Sequence, residues 1–449
     1  MNLSKLLFTT SIILGIGFTG CSNDDDTLSS DGSEKANTNV SVTLKMGQNS
    51  GTKTTKSTSE ELRNIGSWAG KDKIETVAIY LVDGSTVSAN YFTVGSDASA
   101  DYIQETNSTT KEVSLRPVKA IRTTSGIKKV YVLINGTEDI IKTLGTSSAN
   151  DFENAYRNVA LALGNSGADS FTGTSADKLV KKNGSESETI VMTNVADVTI
   201  NVAPNVTEAQ ALQTVNPLNR ASVSVERTVA RVMVTTDLDS YDIKFGSDIL
   251  GSISDIHWVL AQGESSLYLQ RKADWATPNY GWIPTTYEQF INTKFASKDA
   301  KYDYSGLLEN YDSAKKFGGT VVPTMLDYEK DPTKQVTDEL NAKLSGKFIL
   351  PNTHAYGNES ASSYRKGNTA YVLIRAKFTP KSFADREVYE KGKDFYVGAN
   401  GKFYTSAENA VDPSKGGISG QTVAKYVGGK VLYYAWVNPD AVPNWYNSP

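Results

Sequence analysis

The sequence is poor in the residues that most catalytic and metal sites require. It has one cysteine and two histidines among 449 residues, which excludes an intrachain disulfide and a zinc site built from a Cys/His cluster. It also has no Gly-x-Ser-x-Gly elbow and no phosphate-binding glycine-rich loop at the start of a helix. We therefore predict a protein that is not an enzyme and that has no cofactor and no metal site.

The charged and polar residues add little chemistry. The net charge is −4 with no basic stripe, so nucleic acid is not an expected partner. Both histidines have structural explanations, since His257 lies in a strand pattern next to Trp258 and His354 lies in a turn. The Asp24–Asp26 run lacks the alternating ligands of a calcium loop. A glycosidase that uses only two carboxylates leaves no sequence signature and stays open as an alternative.

The N-terminus has the features of a lipoprotein signal peptide. Lys5 precedes an apolar run of roughly 13 residues that stops before Cys21, whereas a membrane-spanning helix needs about 20. We predict that residues 1–20 are removed and that the Cys21 thiol carries the lipid, including palmitate. The polar stretch 21–39 has almost nothing apolar to bury and is predicted to be a disordered tether.

The remaining chain, roughly 430 residues long, exceeds what one hydrophobic core serves and predicts more than one domain. Strand patterns rich in Val, Ile, Tyr and Thr recur along it, with Gly, Asn, Asp and Pro between them, as in β-sandwiches. The predicted strands are Val40–Met46, Ile74–Val82, Ile127–Ile134, Thr189–Thr193, Val198–Val202, Val223–Thr235, Ile253–Leu260, Phe348–Leu350, Tyr371–Phe378 and Val431–Val437.

Helical signals are few and lie mainly in the first half. Thr137 and Gly145 mark the two ends of one short helix. A second is predicted to start near Ser148 or Asn150, with Gly164 just past its end. Its buried face has the spacing of a helix and consists of Phe152, Tyr156, Val159 and Leu163.

The domain boundary is predicted near Asp237. The segment Ala203–Asn219 contains two prolines and has little periodicity, so it is expected to separate two strand-rich halves. Val223–Thr235 after it is interpreted as one long strand. The predicted domains are therefore an N-terminal one at 40–236 and a C-terminal one at 237–449.

Aromatic residues are concentrated in one region of the second half. Exposed rings there would stack on sugars, whereas buried rings would fill the core of a large β protein; both readings stay open at this point. The residues are Trp258, Tyr268, Trp275, Tyr280, Trp282, Tyr302 and Tyr304.

Several longer strings resemble one family. They are WAGKDKIE at 68–75, VERTVARVMV at 225–234, LSGKFILPNTH at 344–354, GNTAYVLIRAKF at 367–378 and GKVLYYAW at 429–436. In this order they closely resemble the shaft (major) subunit of the short, or minor, fimbrium of Bacteroidales, within the fimbrillin family of type V pili. The resemblance covers nearly the whole chain.

The resemblance implies two transthyretin-like β-sandwich domains in a mostly-β fold. It also implies export as an outer-membrane lipoprotein, cleavage by an Arg- or Lys-specific protease, and polymerisation by donor-strand exchange with other copies of the chain. Expected partners are accessory tip and anchor proteins and host or bacterial surface receptors. The expected location is a cell-surface fimbrium that supports adhesion, biofilm formation and virulence.

Under this scheme the first strand is displaced, with its core face formed by Val40, Val42, Leu44 and Met46. The candidate processing residues in the following loop are Arg63, Lys53 and Lys56. The family continues beyond the position of Pro449 with a closing strand and a donor strand, so the C-terminal domain is expected to lack both. The alternatives are a surface glycan-binding lipoprotein and a fimbrial tip or anchor subunit.

Overall fold

A computed structural model of the chain describes residues 36–46, 73–84, 86–107, 113–145, 148–158, 160–163, 174–183, 187–232, 234, 236, 238–285, 301–304, 320–321, 346–357 and 361–437. All of them lie in the compact unit that runs from Ala36 to Pro449. The predicted signal peptide, most of the predicted tether and the predicted processing loop lie outside the described residues.

The described residues are mostly β with a few short helices, as predicted. The strands are β1 (Asn37–Met46), β2 (Thr76–Asp83), β3 (Thr86–Gly95), β4 (Tyr102–Thr106), β5 (Val113–Pro117), β6 (Ile121–Thr124), β7 (Gly126–Ile134), β8 (Leu161–Ala162), β9 (Val180–Asn183), β10 (Ser187–Ile190), β11 (Met192–Asn194), β12 (Thr199–Val202), β13 (Arg220–Arg227), β14 (Ala230–Val232), β15 (Tyr241–Phe245), β16 (Asp248–Ala261), β17 (Gly263–Glu264), β18 (Ser266–Leu267), β19 (Tyr302–Asp303), β20 (Thr320–Val321), β21 (Lys347–Ile349), β22 (Tyr371–Pro380), β23 (Phe395–Gly398), β24 (Phe403–Tyr404), β25 (Val423–Tyr426) and β26 (Lys430–Trp436). The helices are α1 (Glu138–Gly145), α2 (Ala149–Glu153), α3 (Glu208–Leu212) and α4 (Ala407–Val411), with a π-helical turn at Asn154–Asn158 and 3-10 turns at Ala176–Leu179, Pro413–Lys415 and Val427–Gly429.

The first and larger sheet closes on itself. Its order is β11-β13-β1-β5-β4-β3-β2-β7-β12, β6 also pairs with β1, and β11 also pairs with β7. Because β11 joins β13 at one side and β7 at the other, the strands form a barrel-like ring. β1 lies within this ring, parallel to β13 and antiparallel to β5 and β6.

The second sheet is built from later strands in the order β15-β16-β22-β26, with β20 also paired to β16. The long strand β16 shifts register against β22 between Ser254 and His257, where Asp255 has a positive φ of 55°. The shift is a β-bulge, which bends the strand locally. Smaller pairings link β14 to β21, and β23 to both β24 and β25.

The strands β2 and β7 are buried on both faces. Ile79 and Val132 point into the core enclosed by the first sheet. Tyr80 and Tyr131 point to the other side, where they pack against Phe152 of α2 with ring centroids 4.8 and 5.3 Å apart. The first sheet therefore separates an inner core from an outer core that the helices cover.

The prediction of one long strand over Val223–Thr235 is wrong. β13 ends at Arg227, and the backbone N–H and hydroxyl of the next residue, Thr228, both donate to the Val191 carbonyl, at 3.0 and 2.9 Å. The chain then continues as β14, which pairs with β21 instead of a strand of the first sheet.

The segment Ala203–Asn219 does not separate two halves, which is a second correction. It connects β12 to β13, both of which belong to the first sheet, and it contains α3. The helix begins with a capping box between Thr207 and Gln210. The domain boundary near Asp237, and with it the ranges 40–236 and 237–449, stays a prediction.

The helix Glu138–Gly145 is confirmed, whereas the second predicted helix, which is predicted to end just before Gly164, is too long. After α2 and the π-helical turn the chain becomes β8, whose two residues pair with β18. The predicted core residues Phe152 and Tyr156 are fully buried, and Val159 lies outside the described residues. Strand pairing therefore ends the helix before its apolar pattern does.

Candidate functional site

The first strand has one face inside the core of the first sheet. Val40, Val42 and Leu44 are each 0% exposed and Met46 is 8% exposed. They pack in one cluster with residues of β5 and β13, among them Leu115. The alternation in the sequence thus corresponds to a buried face, with Lys45 on the exposed side.

The opposite face of β1 is partly covered by the segment that contains α3. The Ser41 hydroxyl donates to the Ala211 carbonyl at 2.7 Å. It also accepts a hydrogen bond from Arg220 Nε at 2.9 Å. Arg220 Nη2 donates to the same Ala211 carbonyl at 2.8 Å. Three polar groups therefore close a small triangle over the middle of the strand.

A second polar cluster holds the beginning of β1. The Thr38 hydroxyl donates to the Ala203 carbonyl at 2.8 Å and accepts from the Val206 N–H at 3.0 Å. The side-chain amide of Asn219 donates to the Thr38 hydroxyl at 3.1 Å and to the Asn39 carbonyl at 3.0 Å. Residues 203–219 therefore hold the strand and do not serve as a linker.

The side of β1 opposite β13 has a break. β6 pairs with β1 only up to Val40 and β5 only from Leu44 onward. The Tyr102 hydroxyl crosses this break and donates to the Val42 carbonyl at 2.9 Å, inside the core. Burial raises the pKa of Tyr102, so the hydroxyl keeps its proton and remains a donor.

The predicted lipidation and processing residues lie outside the described residues: Cys21, Lys53, Lys56 and Arg63. The described parts of the chain that flank the predicted processing loop end at Met46 and resume at Lys73. The assignment of lipidation to Cys21 and of processing to the other three residues stays a prediction.

The clustered aromatic residues do not form one surface. Trp258 is 1% exposed, and Tyr302 and Tyr304 are also buried in the core. Trp275 is 48% exposed, and the Arg271 guanidinium lies 3.7 Å from the centroid of its ring. Trp275 lines a cavity of about 250 Å³ next to β13. Core packing therefore explains Trp258, Tyr302 and Tyr304, whereas Trp275 is exposed.

The histidines occupy structural positions. His354 is buried, and its ring nitrogens lie 3.2 Å from the Tyr280 carbonyl and 2.7 Å from the Asn368 carbonyl. Burial lowers the pKa of His354, which favours the neutral ring. His257 lies 3.0 Å from Asp255 at the bulge of β16.

The described ranges contain no group of three or more His, Cys, Asp or Glu side chains placed to hold a metal ion. Among the helices in those ranges, none has the length and apolar character needed to span a bilayer.

Comparison with known proteins gives a full-length relative. Two sequences of the minor fimbrium subunit Mfa1 of Porphyromonas gingivalis are each 27% identical to this chain, over 465 and 461 residues. Both alignments cover 100% of this chain and 84% of the relative. This chain is homologous to that minor fimbrium subunit. No family model matches the chain.

Comparison with solved structures gives only distant matches. A fimbrial assembly protein from Parabacteroides distasonis has a TM-score of 0.28 and 15% identity, and it covers 56% of this chain and 74% of its own length. The tip fimbrial protein Mfa3 from Porphyromonas gingivalis has a TM-score of 0.29 and 8% identity, with 89% and 99% covered.

The polar residues around β1 were missed by sequence reasoning. Ser41 lies in a predicted strand, Arg220 precedes one, and Tyr102 lies outside the predicted strands. The capping box from Thr207 to Gln210 was a usable signal, since it marks the start of the helix that reaches over β1.

Proposed function

We propose that this chain is a structural subunit of the shaft of a surface fimbrium and that it polymerises by exchanging β1 for a strand of another copy. The observation that carries the proposal is the position of β1, an N-terminal strand enclosed between β13 on one side and β5 and β6 on the other. The full-length homology to a minor fimbrium subunit supports it independently.

Loss of β1 would leave a groove with two complementary properties. Its floor is apolar, because the inner face of β1 is buried, and each such side chain contributes about 1.5–3 kcal/mol on burial. Its walls carry backbone groups that pair with β1 in the intact sheet. A strand supplied by another chain satisfies both, as in β-augmentation.

Maturation in this proposal starts from a lipidated precursor in the outer membrane. The lipid is attached to Cys21, and an Arg- or Lys-specific protease cuts after Arg63, or after Lys53 or Lys56, between β1 and β2. The cut separates β1 and the lipid from the remainder of the chain. The polymer, with accessory tip and anchor proteins, then supports adhesion and biofilm formation through host or bacterial surface receptors.

A disulfide that fixes β1 in place tests this proposal. Thr43 and Ser222 are register partners on the parallel strands β1 and β13, about 4.8 Å apart, which suits a disulfide. The Thr43→Cys/Ser222→Cys variant should be cut by the protease but should form no detergent-resistant ladder until a reductant is added.

The matched control places the same bond away from β1. Asp242 and Ser252 are register partners on β15 and β16, and their double cysteine variant should polymerise with or without reductant. Polymerisation of the locked β1 variant under oxidising conditions would exclude strand exchange at β1.

A second candidate, a surface glycan-binding lipoprotein, is favoured by one observation. Trp275 is exposed, lines a cavity and has a positive φ of 63°, a backbone strain that is concentrated at functional sites. Oligosaccharide binding by the uncut monomer that Trp275→Ala abolishes would favour this reading. A tip or anchor role would instead give a subunit that caps filaments and does not extend them.

A further inference from the structure

Two hydroxyl groups of β1 are buried against polar atoms of the segment 203–220. Ser41 is 0% exposed and Thr38 is 2% exposed, although both belong to a strand that otherwise buries apolar side chains. Ser41 faces away from the inner core, and Thr38 lies on the same side as Val40. A strand that only had to fill an apolar groove would not need either hydroxyl.

The Ser41 pocket requires a group that both donates and accepts. The Ser41 hydroxyl donates to the Ala211 carbonyl and accepts a hydrogen bond from Arg220 Nε. A side chain without a hydroxyl at the fully buried position of Ser41 would leave the half-buried Arg220 Nε facing an apolar group. Burial of a polar group without a hydrogen bond is unfavourable.

The Thr38 pocket imposes the same requirement at a second point. The Val206 backbone N–H and the Asn219 amide both donate to the Thr38 oxygen, while the Thr38 hydroxyl donates to Ala203. The groups that bind the two hydroxyls lie outside β1, so they remain on the subunit when β1 leaves.

We propose that the groove of β1 selects its replacement strand by these two hydroxyl pockets: the incoming segment of another copy carries Ser or Thr at the positions of Ser41 and Thr38, beside alternating apolar residues. This inference rests on the proposed strand exchange. The polar pockets set the register, because a slip by one residue puts an apolar side chain at the Ser41 pocket.

The test uses the full chain with a recognition sequence for a site-specific protease placed within residues 47–72, cut after folding. A labelled synthetic peptide with the sequence of Ala36–Met46 is allowed to replace β1. Unlabelled peptides then compete with it: the unchanged sequence, Ser41→Val, Ser41→Thr and Thr38→Val. The control peptide is Lys45→Ala, since Lys45 is exposed.

The Ser41→Val and Thr38→Val peptides should compete about tenfold or more weakly than the unchanged peptide, while Ser41→Thr and Lys45→Ala should stay within about threefold. Arg220→Met in the cut protein should reduce the discrimination between the unchanged peptide and the Ser41→Val peptide, and Arg220→Lys provides a second variant with the charge retained. Stronger binding of the Ser41→Val peptide to the Arg220→Met protein than to the unchanged protein would show that the Arg220 guanidinium is responsible for the selection.

The outcomes separate the two levels of the proposal. Exchange of all peptides with equal affinity overturns the selection by hydroxyl pockets and leaves strand exchange intact. Failure of every peptide, including the unchanged one, to replace β1 overturns the proposed function and this inference together.

Discussion

Arg231 on β14 and Glu188 on β10 form an ion pair with both side chains almost fully buried. The Arg231 guanidinium also lies 4.7 Å from the centroid of the Phe348 ring on β21. The Glu188 backbone carbonyl accepts a hydrogen bond from Lys73 at the entrance to β2. This pair therefore connects β10, which contacts the chain just before β2, to the β14–β21 pairing. β14 follows β13, the last strand of the first sheet.

Removal of one partner of this pair should be costly. Arg231→Met leaves the Glu188 carboxylate buried without its guanidinium and should lower the free energy of unfolding by about 3–5 kcal/mol. Arg231→Met/Glu188→Met should recover much of that loss, because no buried charge remains. Urea unfolding measures both. A double variant that is no more stable than the single one would contradict this account.

The two faces of β1 should differ in their effect on stability. Leu44→Ala removes a fully buried side chain and should lower the free energy of unfolding by about 2–5 kcal/mol. Lys45→Ala, on the exposed side, should change it by less than about 0.5 kcal/mol. Equal effects in the uncut protein would show that the inner face of β1 is not the stabilising one.

Glu264 should give the protein a measurable pH dependence. Burial raises the pKa of the Glu264 carboxyl to about 7 from an ordinary value of 4.5, while hydrogen bonds from Asn279 and Thr277 act in the opposite direction. The folded state therefore holds more protons than the unfolded state between these two values. The free energy of unfolding should consequently fall as pH rises through this window.

The measurement compares wild type with Glu264→Gln by urea unfolding from pH 4.5 to 8. The stability of wild type relative to the variant should decrease by roughly 3 kcal/mol across the window. The lowered pKa of His354 has the opposite sign and cancels in the difference. Glu390→Gln, at an exposed site, is the control and should leave the profile unchanged. Parallel profiles for wild type and Glu264→Gln would show that the pKa of Glu264 is not raised in the folded protein.

Cys21→Ala should prevent lipid attachment and delivery to the outer membrane, since Cys21 is the sole cysteine of the chain. Metabolic labelling with a radioactive fatty acid, followed by membrane fractionation, gives the readout. Equal label in the variant and in wild type would rule out Cys21 as the attachment site.

The processing residue should be visible at the N-terminus of subunits sheared from cells. Cleavage after Arg63, Lys53 or Lys56 gives chains that begin at Asn64, Thr54 or Ser57, respectively. Edman degradation or mass spectrometry of the first residues distinguishes them. Assembled filaments that retain a lipidated Cys21 would show that β1 is not released before polymerisation.

Sequence periodicity predicted the strands that have a continuous apolar face, among them β1, β7 and β22. It missed β3, whose residues are all exposed or half-buried and which therefore lacks a fully buried face. It also joined β13 to β14, because Val225 and Val229 continue one alternating pattern although they belong to two different cores. Periodicity reports that a residue is buried but not which core receives it.

The candidate site was predicted only on its apolar side. The contacts that hold Ser41 and Thr38 come from residues more than 160 positions away in the sequence, and no local pattern encodes such partners. The same holds for helix α3. Its capping box can be recognised from neighbouring residues, whereas its position over β1 depends on residues far away in the sequence.

The contact between Ser41 and Arg220 joins residues 179 positions apart. Synthesis proceeds from the N-terminus, so β1 exists long before β13, its parallel partner, has been made. Closing so long a loop costs entropy, and pairings of high contact order form slowly. β1 is therefore the first strand of the ring to be synthesised, but its pairing with β13 forms late in folding. A strand from a second chain that is present during this delay competes with β1 for the same position, and the relative rates of pairing decide which strand occupies it.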